Sequence, residues 1–428
     1  MTSTFTRRLF MAAATTATLA MALAVPALAD VTLSLSADGN EETTKAMAAL
    51  TKAYSAAHPD VKFELETRPG GAEGDNLVKT RLATGEMSDI FQYNSGSLFQ
   101  ALNPSANLAD LSDIQGDVLD SYKAVVTSTD GIVRGVPFGA AMGGGIYYNK
   151  KIYAELGLSV PKTWADFMAN NAKIKAAGKV AVGQTYKDTW SSQLFVLSDY
   201  FNVQTANPTF AASYTDNKAK YATTPAAMKG FEHLEEVFKG GYLNADFGAA
   251  SFDDGVRMVA NGDIAHYPML TFALGNVKQN FPDKLNDVGF FAQPGDDAAK
   301  NGLTVWMPSG IYVAAKSANV EAAKGFARFV ASPEGCKIMM DANGATGPYL
   351  VKNCALPADV PAAVSDMMPY FEAGLTAPAL EFLSPIKGPN LEQLTVEVGS
   401  GIRPAADAAA LYDKDVEKQA KQLGLPNW

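Results

Sequence analysis

Cysteine and histidine are scarce in this chain: two Cys and three His in 428 residues. His58, His233 and His266 lie far apart, so a zinc site of the H-x-x-x-H kind is excluded and no metal is expected. A G-x-S-x-G elbow, a G-x-G-x-x-G after a strand and a P-loop are all missing, which removes common signatures of hydrolase, dinucleotide and nucleotide chemistry; no cofactor is expected. The acidic pairs Glu235-Glu236 and Asp253-Asp254 read as solvated helix faces rather than a glycosidase pair, so a secreted carbohydrate-active enzyme is the weaker reading. Basic residues are outnumbered, 35 against 45, for a net charge of −10, which argues against nucleic acid or an anionic membrane as partner. Beyond the N-terminus no apolar run approaches the roughly eighteen residues a membrane span needs. Tryptophan is rare too, with four in all, so the place of each one carries information.

What the N-terminus does have is an export address. Arg7 and Arg8 form a basic start, Leu9 to Leu23 an apolar stretch, and Ala27-Leu28-Ala29 a small-x-small site, so cleavage is expected after Ala29. Thr6 to Met11 also approaches a twin-arginine signal, and ordinary secretion stays open beside it. With no Cys at the cleavage site, a freely diffusing periplasmic protein is expected. Loss of Arg7 and Arg8 deepens the acidic excess by two. The remaining 399 or so residues exceed one ordinary core and suit two domains. Cys336 and Cys354, eighteen positions apart in an oxidising compartment, are expected to form a disulfide.

Along the chain, strand and helix patterns alternate. Val31 to Leu35 reads as a strand, Glu41 to His58 as a helix with Met47, Leu50 and Tyr54 at helical spacing, and Val61 to Thr67 as a strand, a βαβ start. A short helix over 76–83 leads to a strand at 88–92. Pro225 to Lys239 and Val320 to Val330 are amphipathic helices, and Ser332-Pro333 starts another. Residues 131–164 mark a handover: two short β-prone runs, the freedom of Gly143-Gly144-Gly145, the strand Ile146 to Tyr148, and a helix opened by Thr163 as N-cap with Asp166 in its first turn.

The run GIVRGVPFGAAMGGGIYYNKKIYAELGLSVPKTW at 131–164 resembles the extracellular solute-binding proteins of ABC sugar importers, family 1. Leu82 to Phe91, Phe252 to Ala265, Val288 to Gly295 and Gly310 to Ser332 resemble further family segments in the same order, with Ser88 where the family usually carries Pro. The resemblance implies an α/β, two-lobed periplasmic binding protein type II fold, with a ligand cleft between the lobes and hinge strands that cross near 139–143, 292–303 and 342–350. After the signal at 1–29, the N-terminal lobe would hold 30–140 plus 300–342, and the C-terminal lobe 141–299 plus 343–428. It also implies a monomer that hands a small carbohydrate to the permease subunits of an ABC importer. Binding of a non-sugar solute (polyamine, peptide or anion) is the alternative within the same fold.

In such a fold ligands sit beyond the C-terminal ends of strands, which locates the candidates. Strand one is followed by Asp38, Asn40 and Glu41, and strand three by Tyr93, Asn94 and Ser95; carboxylates, amides and hydroxyls are what sugar hydroxyls need. Met142 and Gly143 stand at the first crossing. Sugar rings also expose C–H faces, which flat aromatic surfaces complement. Asp188 and Trp190 lie in the polar loop after the strand 180–182, Trp306 stands just before a strand at a crossing, and Phe272 lies in the loop after residue 266, so these complete the candidate set. Trp164 is expected to be packing.

Overall fold

Alternating apolar residues make Val31–Asp38 a strand, β1, whose Leu33, Leu35 and Ala37 are fully buried. The computed structural model describes residues 1–2 and 30–428; the export signal read at Arg7, Arg8, Leu9 to Leu23 and Ala27 to Ala29 lies outside the described residues. After β1 the helix Glu41–Ala57 is started by Asn40, whose Oδ1 accepts from the Thr43 amide at 2.8 Å, and it lays Met47, Leu50 and Tyr54 on the sheet. Then follow β2 (Val61–Arg68), the helix Gly71–Thr84, β3 (Ile90–Tyr93) and β4 (Gly135–Phe138). With β10 (Ser309–Val313) these strands form a five-stranded sheet in the order β2-β1-β3-β10-β4, in which β10 runs antiparallel to both neighbours.

The second sheet is built on β5 (Met142–Asn149). One edge of β5 pairs antiparallel with β7 (Ile264–Leu270), which in turn pairs with β6 (Val180–Val182). Its other edge is shared by β9 (Leu303–Trp306) and then β8 (Val288–Ala292), and β11 (Thr376–Pro378) lies beyond β9. The capping box forms as expected, Thr163 and Asp166 each bonding the other's backbone amide at the start of the helix Trp164–Ala176. Trp164 is packing: its ring stacks on His233 at 3.7 Å and its Nε1 donates to Glu236.

Two consecutive links carry the chain between sheets. Residues 139–141 join β4 to β5, and Met307-Pro308 join β9 to β10. The second link corrects the sequence reading, which put a crossing at 292–303 and residues 300–306 in the first lobe. Apolar β9 is buried on both faces and pairs with β5 through Met142↔Trp306, so the passage comes only after Trp306. The third crossing is also later than 342–350. There the Ala141 amide donates to Pro348, Ala140 bridges Tyr349, and Val118 bridges Val351, which keeps the segment beside the first sheet. Cys354 is bonded to Cys336 in the helix Pro333–Asn343, with Cα atoms 6.4 Å apart. The helix Ala362–Glu372 then packs on β8, where Asp366 accepts from the Phe290 amide, so the chain passes over at 355–361.

His266, fully buried in β7, offers a test of this second core. Its ring lies 2.7 Å from the Tyr153 hydroxyl, and burial drives its pKa down from 6.5 to about 3. The unfolded chain takes up a proton there below about pH 6.5 while the folded chain stays neutral, so the stability His266 supplies is present above that pH and is lost as pH falls toward 3. Denaturant unfolding of the parent and of His266→Gln at pH 7 and pH 5 is expected to show the parent losing about 2 kcal/mol more than the variant. Equal losses would contradict a neutral His266.

Candidate ligand-binding site

Between the sheets lies a cleft of about 550 Å³, within the usual size of small-molecule sites. Its first wall is made by strand ends. Asp38 closes β1, and its Oδ1 accepts from both the amide and the Nδ2 of Asn40 at 3.0 Å. Arg68 closes β2: Nη2 donates to the Gln92 carbonyl at 2.6 Å, and Nη1 stands 3.8 Å from Asp38. Arg68 is buried and Asp75 on the next helix is half-buried; desolvation lowers the guanidinium's pKa and raises the carboxyl's. Asn94 and Ser95 line the same wall, where the Ser95 hydroxyl donates to Pro308 in the second link and so ties the loop after β3 to a crossing.

The second wall is aromatic. Trp190, Phe252 and Phe272 form one group of rings 5.4 to 6.0 Å apart, and Trp190 is only partly buried. Asp188 holds this wall in place by accepting from the Phe252 amide at 2.6 Å, the first amide of the helix Phe252–Asn261. Trp306 faces the cleft from the end of β9 and donates through Nε1 to Glu381. Glu381 in turn lies 3.6 Å from Lys387, and Glu392 accepts from Thr189 at 2.7 Å. Burial raises the pKa of Glu392.

The glycine run at the start of β5 is strand, not turn. A Cβ on Gly144 would stand 2.1 Å from the Trp306 ring, so the glycine exists for close approach. Gly96 combines a φ of +69° with a similar approach across the cleft rim, where a Cβ would meet the Glu381 carbonyl at 2.5 Å.

Nine of the twelve candidates line this cleft: Asp38, Asn40, Asn94, Ser95, Met142, Asp188, Trp190, Phe272 and Trp306. Three do not. Tyr93 is 1% exposed, covered by Arg68 at 5.8 Å from its ring, because β3 is a central strand buried on both faces. Gly143 is packed between Met367 and Leu303, and its amide donates to Thr271. Glu41 reaches away along the rim to the amides of Gln279 and Asn280 on the helix Leu274–Asn280. Sequence reading placed Arg68 after strand two but left it out of the candidate set, and it missed Glu42, Asp75, Gln193, Asp253, Glu381, Lys387 and Glu392. The strand-end rule reaches Arg68, the last residue of β2; Glu381, Lys387 and Glu392 come from the C-terminal segment, where no motif marks them.

Two sheets joined by crossing links around a polar and aromatic cleft define a two-lobed solute-binding protein. The chain belongs to the bacterial extracellular solute-binding protein family, whose model matches residues 38–336. It is 24% identical over 318 residues, 71% of each chain, to the multiple sugar-binding protein of Streptococcus mutans. To the melibiose/raffinose/stachyose-binding protein MelE of Bacillus subtilis it is 25% identical over 319 residues, 72% of this chain and 71% of the other. The structure of a chitin oligosaccharide binding protein superposes with a TM-score of 0.79 at 21% identity, covering 92% of this chain and 99% of that one. The fold is the type II periplasmic binding protein fold, as the family resemblance implies. Among the described residues no helix is long and apolar enough to cross a membrane.

Proposed function

We propose that this protein is a periplasmic component of an ABC importer that captures a carbohydrate and delivers it to the permease as a monomer, without chemistry. The observation that carries this reading is the pairing, in one cleft, of the Trp190-Phe252-Phe272 rings with carboxylates and amides at strand ends. Rings stack on sugar C–H faces while the polar groups take hydroxyls in fixed directions. Glu41, bonded to Gln279 and Asn280 across the rim, adds contacts that exist only with the halves together. A ligand touching both walls favours that arrangement, because only differential contact shifts such an equilibrium. The candidate contacts are the nine cleft-lining residues named above, joined by Arg68, Asp75, Glu381 and Glu392. Cleavage after Ala29 would release the mature chain into the periplasm.

Thermal-shift screening of sugars, amino acids, polyamines and anions against the mature protein tests the reading. A ligand at about 100 times its Kd adds about 2.7 kcal/mol, and a sugar is expected to do so. Tight binding of an amino acid or anion with no sugar response would remove the ligand class, and a chemically altered ligand after long incubation would remove the binding-only role. Trp190→Ala is expected to weaken sugar binding by about 1–3 kcal/mol, measured by titration, with little change in unfolding free energy. A large stability loss with unchanged affinity would make Trp190 core.

A further inference from the structure

The helix Gly71–Thr84 has no cap of its own. Asn40, Thr163, Ser251 and Ser332 each offer a side-chain acceptor to the first amides of the helix they start, whereas this helix starts from Gly70, which has none to offer. An acceptor reaches it from the other half of the molecule. Glu392 belongs to the helix Leu391–Gly399, beyond the third passage, and a Cβ on Gly71 would stand 3.3 Å from its Oε2. Gly71 takes a φ of +65°, so its conformation and the close approach both call for glycine. The Ala72 amide is among the groups that favour the charged form of Glu392.

Glu392 is also held for this contact from its own side. Thr189 donates to the same Oε2 at 2.7 Å, and the Ser192 hydroxyl donates to the Glu392 carbonyl at 3.1 Å, which fixes the helix start on residues 189–193. Lys387 lies within the field of both Glu392 and Asp75, the carboxylate on the facing helix, and offsets the repulsion between them. The Trp190 ring comes within 3.7 Å of the same Gly71 Cβ position, so the contact lies beside the stacking ring. It is separate from the rim contact of Glu41 with Gln279 and Asn280.

We infer that Glu392 is a latch of the closed cleft: its carboxylate caps the helix Gly71–Thr84 from the opposite half, a contact made only with the halves together. The inference rests on the reading of capture between two walls and not on the class of ligand. Loss of an N-cap acceptor corresponds to a change of about fivefold in an equilibrium. Apparent affinity scales with the population of the competent state, so loss of a latch weakens every ligand by one common factor. Loss of a direct ligand contact weakens some ligands and spares others.

The test uses the mature protein with fluorophores on Lys52→Cys and Lys173→Cys, exposed positions one in each half, the native cysteines being bonded to each other. Single-molecule energy transfer then reads the closed fraction, first without ligand and then with glucose, maltose, cellobiose and raffinose as probes. Two substitutions break the contact from opposite sides: Glu392→Ala removes the acceptor, and Ala72→Pro removes an amide in the first helical turn, where proline is tolerated. Each is expected to lower the closed fraction of the ligand-free protein about fivefold and to weaken every probe that binds by that same factor. Together they are expected to do no more than either alone, because they remove one interaction. Glu392→Gln, which keeps an acceptor without the charge, should fall between the parent and Glu392→Ala. A closed fraction unchanged in both single variants, effects that simply add, or losses that differ from probe to probe would overturn the latch. If none of the four sugars binds, the sugar reading loses its support and the ligand-free closed fraction alone decides the latch.

Discussion

Trp306→Ala is expected to cost about 3–5 kcal/mol of folding stability, the range for removing a large buried aromatic, and to reduce ligand affinity as well. The ring is 5% exposed although it lines the cleft, and it packs on Gly144 with no room for a Cβ between them. Its removal opens a void at the junction of β5 and β9, one residue before the link that carries the chain back to the first sheet. It also strips Glu381 of the indole donor, leaving Lys387 as its partner in a low-dielectric setting. Urea unfolding of the ligand-free variant and titration of the best ligand measure the two effects separately. A stability change under about 1 kcal/mol would show that the void collapses freely or that the ring is not wedged as described. The contrast with Trp190 is physical: Trp190 stands on the short 3₁₀ helix Thr189–Gln193, partly exposed among other rings, so its loss is expected in binding rather than in folding.

How the two tryptophans differ was not legible in the sequence, though both were marked as cleft residues. Local patterns reported elements well because each is stabilised by its own neighbours: the alternation of β1, the Thr163 and Asp166 capping box, and the face of the helix Pro225–Lys239 that buries Phe231, Leu234 and Val237. Positions at and beyond strand ends were legible for the same reason, since Asp38 is the last residue of its strand and Asn94 and Ser95 follow theirs directly. Pairing between distant segments was not. Nothing local tells that β9 joins β5 rather than the first sheet, or that Gly143 is sealed by Met367 from a helix some 220 residues later. Glu381, Lys387 and Glu392 reach the cleft only because the C-terminal segment folds back over it, and their own neighbours in sequence carry no periodic signal of that. Tyr93 went wrong by one step: the strand-end rule placed it in the loop, and β3 runs one residue further, which turns its ring under Arg68.

Removing the disulfide by Cys336→Ala with Cys354→Ala is expected to lower stability by about 3 kcal/mol, the order expected when a cross-link closes a loop of this length in the unfolded chain. The sulfurs join positions 18 apart, one in a fully buried site on the helix Pro333–Asn343 and the other just past the stretch at 348–352. That stretch lies along the first crossing, bonding to Ala141 through Pro348 and to Asp117 and Leu119 through Lys352 and Leu350. The cross-link therefore anchors the third passage at the point where it leaves the first half of the molecule. Its loss is expected to appear mainly in unfolding free energy and less in affinity, because neither Cys lines the cleft. Mass spectrometry of folded periplasmic protein, alkylated without reduction, should find no labelled thiol. Two labelled thiols, or a double variant within about 1 kcal/mol of the parent in denaturant unfolding, would show that the bond is absent from the working protein or that the anchoring is done by the hydrogen bonds at 348–352 alone.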